Sequence, residues 1–203
     1  MANSDIKIIY FNIPGRAEVS RLVLVLAGKQ FEDVRISGAE WRDIKPTTPF
    51  GTCPVLVLDG KMYGQSKAIA VFLAREFGLY GRTNLEGLQI DQAMHLMEDF
   101  IQEYGSRYFF VTDEAKKAEG AKQMREEITP RFMGYFEKLL QDNATGYLAG
   151  DRVTVADLTV FDMYTGFLGS FVQEWIDKFP LIKQLVATVE SNERIRAYRE
   201  QRK

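Results

Sequence analysis

The 203-residue sequence contains one cysteine, Cys53, and one histidine, His95. A single thiol excludes an internal disulfide and any multi-cysteine zinc site, and makes a reducing compartment the expectation. A single imidazole excludes a multi-histidine metal centre. Excess charge of either sign is missing too, since 26 Lys and Arg stand against 28 Asp and Glu for a formal net charge of −2. That balance argues against a surface built to neutralise nucleic-acid phosphates. No apolar stretch approaches the roughly 18 residues needed to span a bilayer; the longest is Leu22 to Ala27. Neither a Gly-x-Gly-x-x-Gly turn nor a phosphate loop occurs, so nucleotide binding has no support. Repeats and low-complexity tracts are absent. What is there is ordinary globular composition, 46% hydrophobic and 27% charged, in a length that suits one large domain or two small ones at roughly 150 residues each. The chain opens on Met-Ala-Asn-Ser-Asp, reaching charge at once, and a soluble, cytoplasmic protein is expected.

Periodicity divides the chain. Over residues 1–80, strand-like and helix-like segments alternate, the signal of an α/β layer. Ile6 to Tyr10 predicts a strand, Arg16 to Ala27 a buried helix stopped by Gly28, Phe31 to Ile36 a second strand, and Trp41 to Lys45 a short turn or helix. Val55 to Leu58 and Lys61 to Tyr63 flank Asp59-Gly60, a type I′ hairpin signal, and Gln65 to Phe77 returns to helical spacing. After a linker at 81–84 the strand signal vanishes, and residues 85–203 read as an all-helical domain. In its first helix Leu85, Leu88, Met94, Met97, Ile101 and Tyr104 mark an apolar face, with Asp91, His95, Glu98 and Gln102 on a polar one. Thr154 to Asp157 reads as a capping box.

Several residues could carry chemistry. Tyr10 ends a strand just before Pro14-Gly15-Arg16 opens a helix, so its hydroxyl could hydrogen-bond a nucleophile beside backbone amides that favour negative charge; equally it could be one more amphipathic strand residue. Cys53-Pro54 precedes a strand. A cis bond there would present the Cys53 backbone to an extended peptide, and a trans bond would merely start an edge strand. Cys53 has no base or second cysteine nearby in sequence, and reads as a small buried residue rather than a nucleophile. Gln65-Ser66 at a helix start could bind a carboxylate or simply cap the helix. Trp41 and Lys45, four apart, could face one ligand or be surface packing and solvated charge. The Asp91, His95, Glu98 and Asp99 stripe could touch a divalent ion or be a solvated or interface face.

Taken together, Tyr10-Phe11-Asn12-Ile13-Pro14-Gly15-Arg16-Ala17-Glu18, Trp41, Lys45, Pro49-Phe50-Gly51-Thr52-Cys53-Pro54-Val55-Leu56, Gln65-Ser66-Lys67-Ala68-Ile69-Ala70 and Gly150-Asp151-Arg152-Val153-Thr154-Val155-Ala156-Asp157-Leu158 resemble the cytosolic glutathione transferases over essentially the whole chain. The Tyr-Phe-x-x-x-Gly-Arg-Ala-Glu opening is closest to the sigma class. The resemblance implies a thioredoxin-like first domain and an all-helical second, with glutathione as co-substrate and no metal. It implies that Tyr10 hydrogen-bonds the glutathione sulfur with Arg16 assisting electrostatically. Thr52, Cys53 and a cis-Pro54 would hold the cysteinyl part through the Cys53 backbone, Gln65 and Ser66 the γ-glutamyl carboxylate, and Trp41 and Lys45 the glycyl end. Asp99 matches the acidic residue that reaches the γ-glutamyl amine from the other subunit of a homodimer. Hydrophobic electrophiles would lie against Ile13, Ile101, Tyr104, Tyr108 and Met163. The implied reaction is addition of the glutathione thiolate to such electrophiles, with lipid hydroperoxide reduction as a further capacity. The alternatives are a glutathione-dependent prostaglandin H to D isomerase, or a non-catalytic ligand carrier or crystallin-like structural member. Ser106 falls near a tryptophan position of the prostaglandin D synthases, and His95 falls within their carboxylate cluster, which sets this chain apart from them. A tyrosine at position 10, where omega-type members carry cysteine, argues against deglutathionylation through a protein thiol, and the lack of Cys-x-x-Cys excludes thioredoxin-type dithiol exchange.

Overall fold

The computed structural model describes residues 5–201. Two compact units emerge among them, one running to Tyr80 and resuming at Ser191, the other Gly81–Glu190. The last helix therefore belongs with the first unit, whereas the sequence pattern had grouped it with the helical domain.

In the first unit, β1 (Ile6–Phe11) leads through a 3-10 turn at Gly15–Ala17 into α1 (Glu18–Ala27), followed by β2 (Glu32–Ile36), α2 (Gly38–Ile44), β3 (Val55–Leu58), β4 (Lys61–Tyr63) and α3 (Ser66–Glu76). The four strands lie in the order β2-β1-β3-β4. β1 pairs parallel with β2 and antiparallel with β3, and β4 continues antiparallel through the Asp59-Gly60 turn, both of whose residues have positive φ. Side chains alternate across a strand, and both faces of this sheet are apolar. Ile9, Ile36 and Val55 form one buried cluster with Phe11, Val34, Val57 and, from α2, Trp41 and Ile44. Ile6, Ile8, Tyr10 and Leu56 point the other way and are buried, as are Leu22, Val23 and Leu24 of α1 and Ile69 and Leu73 of α3. α1 ends where Gly28 adopts the left-handed conformation that its lack of a Cβ makes accessible. α10 (Glu193–Glu200) packs on α1, with Arg194 donating to the Leu26 carbonyl at 2.9 Å.

α2 starts earlier than Trp41. Ser37 and Glu40 form a full capping box, the Ser37 hydroxyl accepting from the Glu40 amide and the Glu40 carboxylate from the Ser37 amide.

The second unit is helical throughout, with α4 (Asn84–Tyr104), α5 (Glu114–Gln123), α6 (Thr129–Asn143), α7 (Val155–Thr165), α8 (Gly169–Val172) and α9 (Pro180–Glu190). The segment read as a linker is instead the cap of α4: the Thr83 hydroxyl accepts from the Glu86 amide and the Glu86 carboxylate from the Arg82 amide. π-helical turns at Gly105–Phe109 and Met124–Ile128 follow α4 and α5. α7 is buried from Val155 through Phe161, the all-round burial of a central helix. Phe100 of α4 stacks on Phe132 of α6 with ring centroids 4.8 Å apart. The apolar face expected for α4 is only partly internal: Met94, Met97 and Tyr104 are buried and Ile101 half-buried, whereas Leu85 and Leu88 are about two-thirds exposed.

Candidate active site

Tyr10 is not a surface strand residue; it is only 8% exposed. Its hydroxyl accepts a hydrogen bond from the Arg16 amide at 3.2 Å. That contact depends on Gly15, which has φ +47° and on which a Cβ would stand 2.7 Å from both the Tyr10 ring and its hydroxyl. Burial pushes the Tyr10 phenol above its ordinary value, against the pull of the Arg16 amide and the charges of Arg16 and Arg21. The hydroxyl is therefore protonated at neutral pH. Its oxygen lone pair takes the amide proton, and its own proton remains to be donated. Arg16 itself is exposed, at the helix start.

Cys53 lies close enough that a thiolate there would raise the Tyr10 value further, and burial pushes the Cys53 thiol up. A raised thiol is a poor nucleophile. The Cys53–Pro54 bond is cis; Pro54 is buried and Thr52 exposed.

Gln65 precedes α3 with φ 74° and ψ 99°, and its side chain makes no capping bond. Capping is thus not what Gln65 does. A non-glycine residue in this region carries strain of about 1–3 kcal/mol, of the kind that gathers at ligand clamps. Ser66 is the first residue of α3, so uncapped helix amides and the hydroxyl lie at the positive end of the dipole. Trp41 packs its indole edge-on to Phe11 at 5.9 Å. Lys45 donates its amide to the Trp41 carbonyl, and its aliphatic stem passes over Gly51, which leaves the exposed ammonium beyond the cis-proline loop. The first unit thus contains a donor hydroxyl at Tyr10, an uncapped helix N-terminus at Ser66, an extended segment at Cys53 and an exposed cation at Lys45.

Family models for the "Glutathione S-transferase, N-terminal domain" and "Glutathione S-transferase, C-terminal domain" match residues 6–75 and 98–202. The chain belongs to the glutathione S-transferase family. It is 36% identical over 199 residues to the "Probable glutathione S-transferase 7" of Caenorhabditis elegans, covering 97% of this chain and 96% of the relative. It is 35% identical over 199 residues to the "Hematopoietic prostaglandin D synthase" of Gallus gallus, with the same coverage of each. Among solved structures, a Nu-class glutathione S-transferase from Haemonchus contortus superposes with a TM-score of 0.89 at 36% identity, over 99% of this chain and 98% of that one. The family uses glutathione as co-substrate, and the thioredoxin-like sheet followed by a helical unit is the fold that these glutathione S-transferases share.

In this glutathione S-transferase the residues expected to meet an electrophile are distributed unevenly. Ile13 is exposed, in the first unit; Ile101 and Tyr108 are half-buried, in the second. Tyr104 is nearly buried within an aromatic group of Tyr108, Phe109, Phe167 and Phe171, with centroids 5.4–6.0 Å away. Met163, only 2% exposed, belongs to the core of the helical unit. Asp99 is exposed on α4. Among the described residues no group of three or more His, Cys, Asp or Glu side chains comes together as metal ligands, so Asp91, His95, Glu98 and Asp99 do not converge on a cation.

Sequence reasoning missed Arg21. A lone arginine at the head of an apolar run reads as helix surface, yet this one is fully buried beside Tyr10. Its signal was the pairing with Glu18, one turn earlier, and with Asp33 on the next strand.

Proposed function

We propose that this glutathione S-transferase adds the thiolate of glutathione to hydrophobic electrophiles, with Tyr10 as the group that stabilises the thiolate. The observation that carries this reading is the buried Tyr10 hydroxyl, polarised by the Arg16 amide and kept protonated by its surroundings. The thiolate, not the thiol, attacks. Lowering a thiol from about 8.5 by two units takes about 2.7 kcal/mol, and one hydrogen bond to a charged group supplies about 1.5–3 kcal/mol. Arg16 adds a favourable charge at the same helix start. Gln65 and Ser66 would hold the γ-glutamyl carboxylate, Thr52, Cys53 and Pro54 the cysteinyl backbone, and Trp41 and Lys45 the glycyl carboxylate. The uncapped α3 terminus and the strained Gln65 backbone support this, because both are features that an anionic ligand would repay. In the helical unit, electrophiles would lie against Ile101, Tyr104 and Tyr108.

The sigma-type opening, a cytoplasmic location and a homodimer in which Asp99 acts across the interface complete the reading. The dimer is supported by side chains too apolar to be left in water: Phe50, Tyr63 and Phe72 in the first unit, and Leu85 and Leu88 in the second. An apolar groove of about 290 Å³ runs beside β4 and α3, lined by Leu56, Leu58, Tyr63, Ala68, Ile69 and Phe72. The 35% identity to a prostaglandin D synthase supports isomerisation by the same thiolate as a second reading.

The test is an ultraviolet difference spectrum of bound glutathione across a pH titration, for the wild type and Tyr10→Phe. A thiolate band persisting well below the free thiol value, and lost in the variant, is expected. Tight binding with no such band in the wild type would turn the assignment to a carrier or structural protein.

A further inference from the structure

Arg21 is completely buried, one turn into α1, and its side chain is committed in four directions. Nε donates to Asp33 Oδ1 at 2.9 Å; Nη1 donates to the carbonyls of Ile13 at 3.1 Å and Pro14 at 3.0 Å, and faces Glu18 Oε2 at 3.4 Å. The guanidinium carbon lies 5.8 Å from the centre of the Tyr10 ring. Nη2 is buried with no hydrogen-bond partner. The surrounding acceptors are themselves fixed: Arg35 holds Asp33 Oδ2 at 2.7 Å and the Ile13 carbonyl at 3.1 Å, and the Tyr198 hydroxyl reaches Glu18 Oε2 at 3.4 Å.

Stability alone does not account for a cation here. A buried ion pair roughly breaks even against apolar side chains of similar volume, and the next six residues of α1 are all apolar. A guanidinium does what leucine cannot. Its Nη1 donates to the two consecutive carbonyls of Ile13 and Pro14 while Nε, fixed in the same rigid plane, is anchored on Asp33, and the guanidinium carbon lies 5.8 Å from the centre of the Tyr10 ring. Peptide units are planar, so gripping those two carbonyls sets the course of the backbone that, at Arg16, presents its N–H to the Tyr10 hydroxyl. One side chain thus registers both halves of the hydrogen bond that polarises the hydroxyl.

We propose that Arg21 is a positioning residue for Tyr10: by holding the Ile13 and Pro14 carbonyls it keeps the Arg16 amide on the Tyr10 hydroxyl, and so sets how strongly that hydroxyl stabilises the glutathione thiolate. The proposal rests on the reading of Tyr10 given above. It separates Arg21 from Arg16, which is exposed and acts as a charge near the sulfur. It also separates the glutathione affinity, held at Gln65, Trp41 and Lys45, from the thiolate fraction.

The experiment compares wild type, Arg21→Lys, Asp33→Asn, Tyr10→Phe and the double variant Arg21→Lys/Tyr10→Phe, each with reduced glutathione and an activated aryl chloride. Arg21→Lys keeps the charge and loses the rigid plane that joins the Nε anchor on Asp33 to the Nη1 bonds on the two carbonyls. It is expected to raise the apparent thiol value of bound glutathione by about one unit, so that kcat/KM at about pH 6.5 falls about fivefold. At alkaline pH the rate should return to within about twofold of wild type, and KM for glutathione should change by less than about threefold. Asp33→Asn, which loosens the Nε anchor and the Arg35 contact to the same carboxylate but keeps the guanidinium and its Nη1 bonds, should give a smaller shift of the same sign and decides the matter should Arg21→Lys fail to fold. In the Tyr10→Phe background Arg21→Lys should add nothing, because its effect passes through the hydroxyl. A lowered unfolding midpoint with an unaltered pH profile in Arg21→Lys and Asp33→Asn overturns the proposal, as does a full additional shift in the double variant. If instead Tyr10→Phe alone leaves the thiolate band unchanged, the assignment of Tyr10 falls, and Arg21 with it.

Discussion

At Gly15 a single missing carbon decides the geometry of the site. The residue has φ +47°, and any Cβ there meets the Tyr10 ring and hydroxyl at 2.7 Å. Gly15→Ala must therefore push the tyrosine away from the Arg16 amide as well as adopt a backbone that alanine resists. A loss of about 1–3 kcal/mol in urea unfolding is expected, together with a thiolate band weakened toward that of Tyr10→Phe; a wild-type band in a stable Gly15→Ala protein would show that the contact is dispensable. Gln65 makes the opposite case. Its φ of 74° is unfavourable for glutamine and open to glycine, so Gln65→Gly should unfold no earlier than wild type while its KM for glutathione rises several-fold. Destabilisation by more than about 1 kcal/mol would mean that the backbone there is not strained. These two residues also show what a sequence discloses at this scale. Tyr10, Gly15 and Gln65 could be picked out because they sit at the junctions of strand, turn and helix, where chemistry concentrates. Arg21 could not from periodicity alone, because its burial depends on Asp33 of β2 and the Ile13 and Pro14 carbonyls closing around it, and only Glu18, one turn earlier in α1, is a local partner.

Among the elements, α7 is the one whose start is written most plainly in the sequence and enforced most strongly in the fold. The Asp157 carboxylate accepts from the Thr154 amide at 2.7 Å and hydroxyl at 2.9 Å, as the capping box predicts, and also from the Leu148 amide at 2.8 Å, which ties the preceding loop to the helix. Burial, outweighing these donors, pushes the Asp157 carboxyl up from 3.8 to about 6. A carboxyl raised in the folded state binds its proton more tightly there than in the unfolded chain. Its contribution to stability is therefore complete below about pH 4 and is lost as pH rises through 6, a change of about 3 kcal/mol. Asp157→Asn leaves an amide NH2 facing the Leu148 or Thr154 N–H, and should cost about 2–3 kcal/mol at pH 5. The gap between wild type and variant should narrow as pH rises to 7.5; a gap that widens instead would show that the donors, not burial, govern this carboxyl. Elsewhere the legible elements were those with local punctuation: Gly28 ending α1, Asp59-Gly60 between β3 and β4, Pro180 opening α9. The start of α2 at Gly38 was written in Ser37 and Glu40 but is hard to see beside a glycine. The amides of Leu181 and Ile182 in α9 are capped by Glu137, more than forty positions away, and that cap has no local signature at all.

For the whole molecule, periodicity located the change from sheet to helix near residue 80 but could not say which apolar faces meet water. Leu85 and Leu88 keep the spacing of a core face and yet are 65% and 64% exposed, as is Phe50 at 64%. The homodimer proposed above would cover these apolar side chains. Light scattering at micromolar concentration should therefore give twice the mass of the chain, and Leu85→Glu/Leu88→Glu should give a monomer. The same variant tests the role of Asp99. If that carboxylate reaches glutathione only across the dimer, Asp99→Asn should raise KM for glutathione in the dimeric protein. In the Leu85→Glu/Leu88→Glu background, where KM is already raised, it should change nothing further. Additive effects of Asp99→Asn and the two leucine substitutions would place Asp99 within its own subunit's site or outside the site altogether, since residues acting through one shared contact cannot be removed twice.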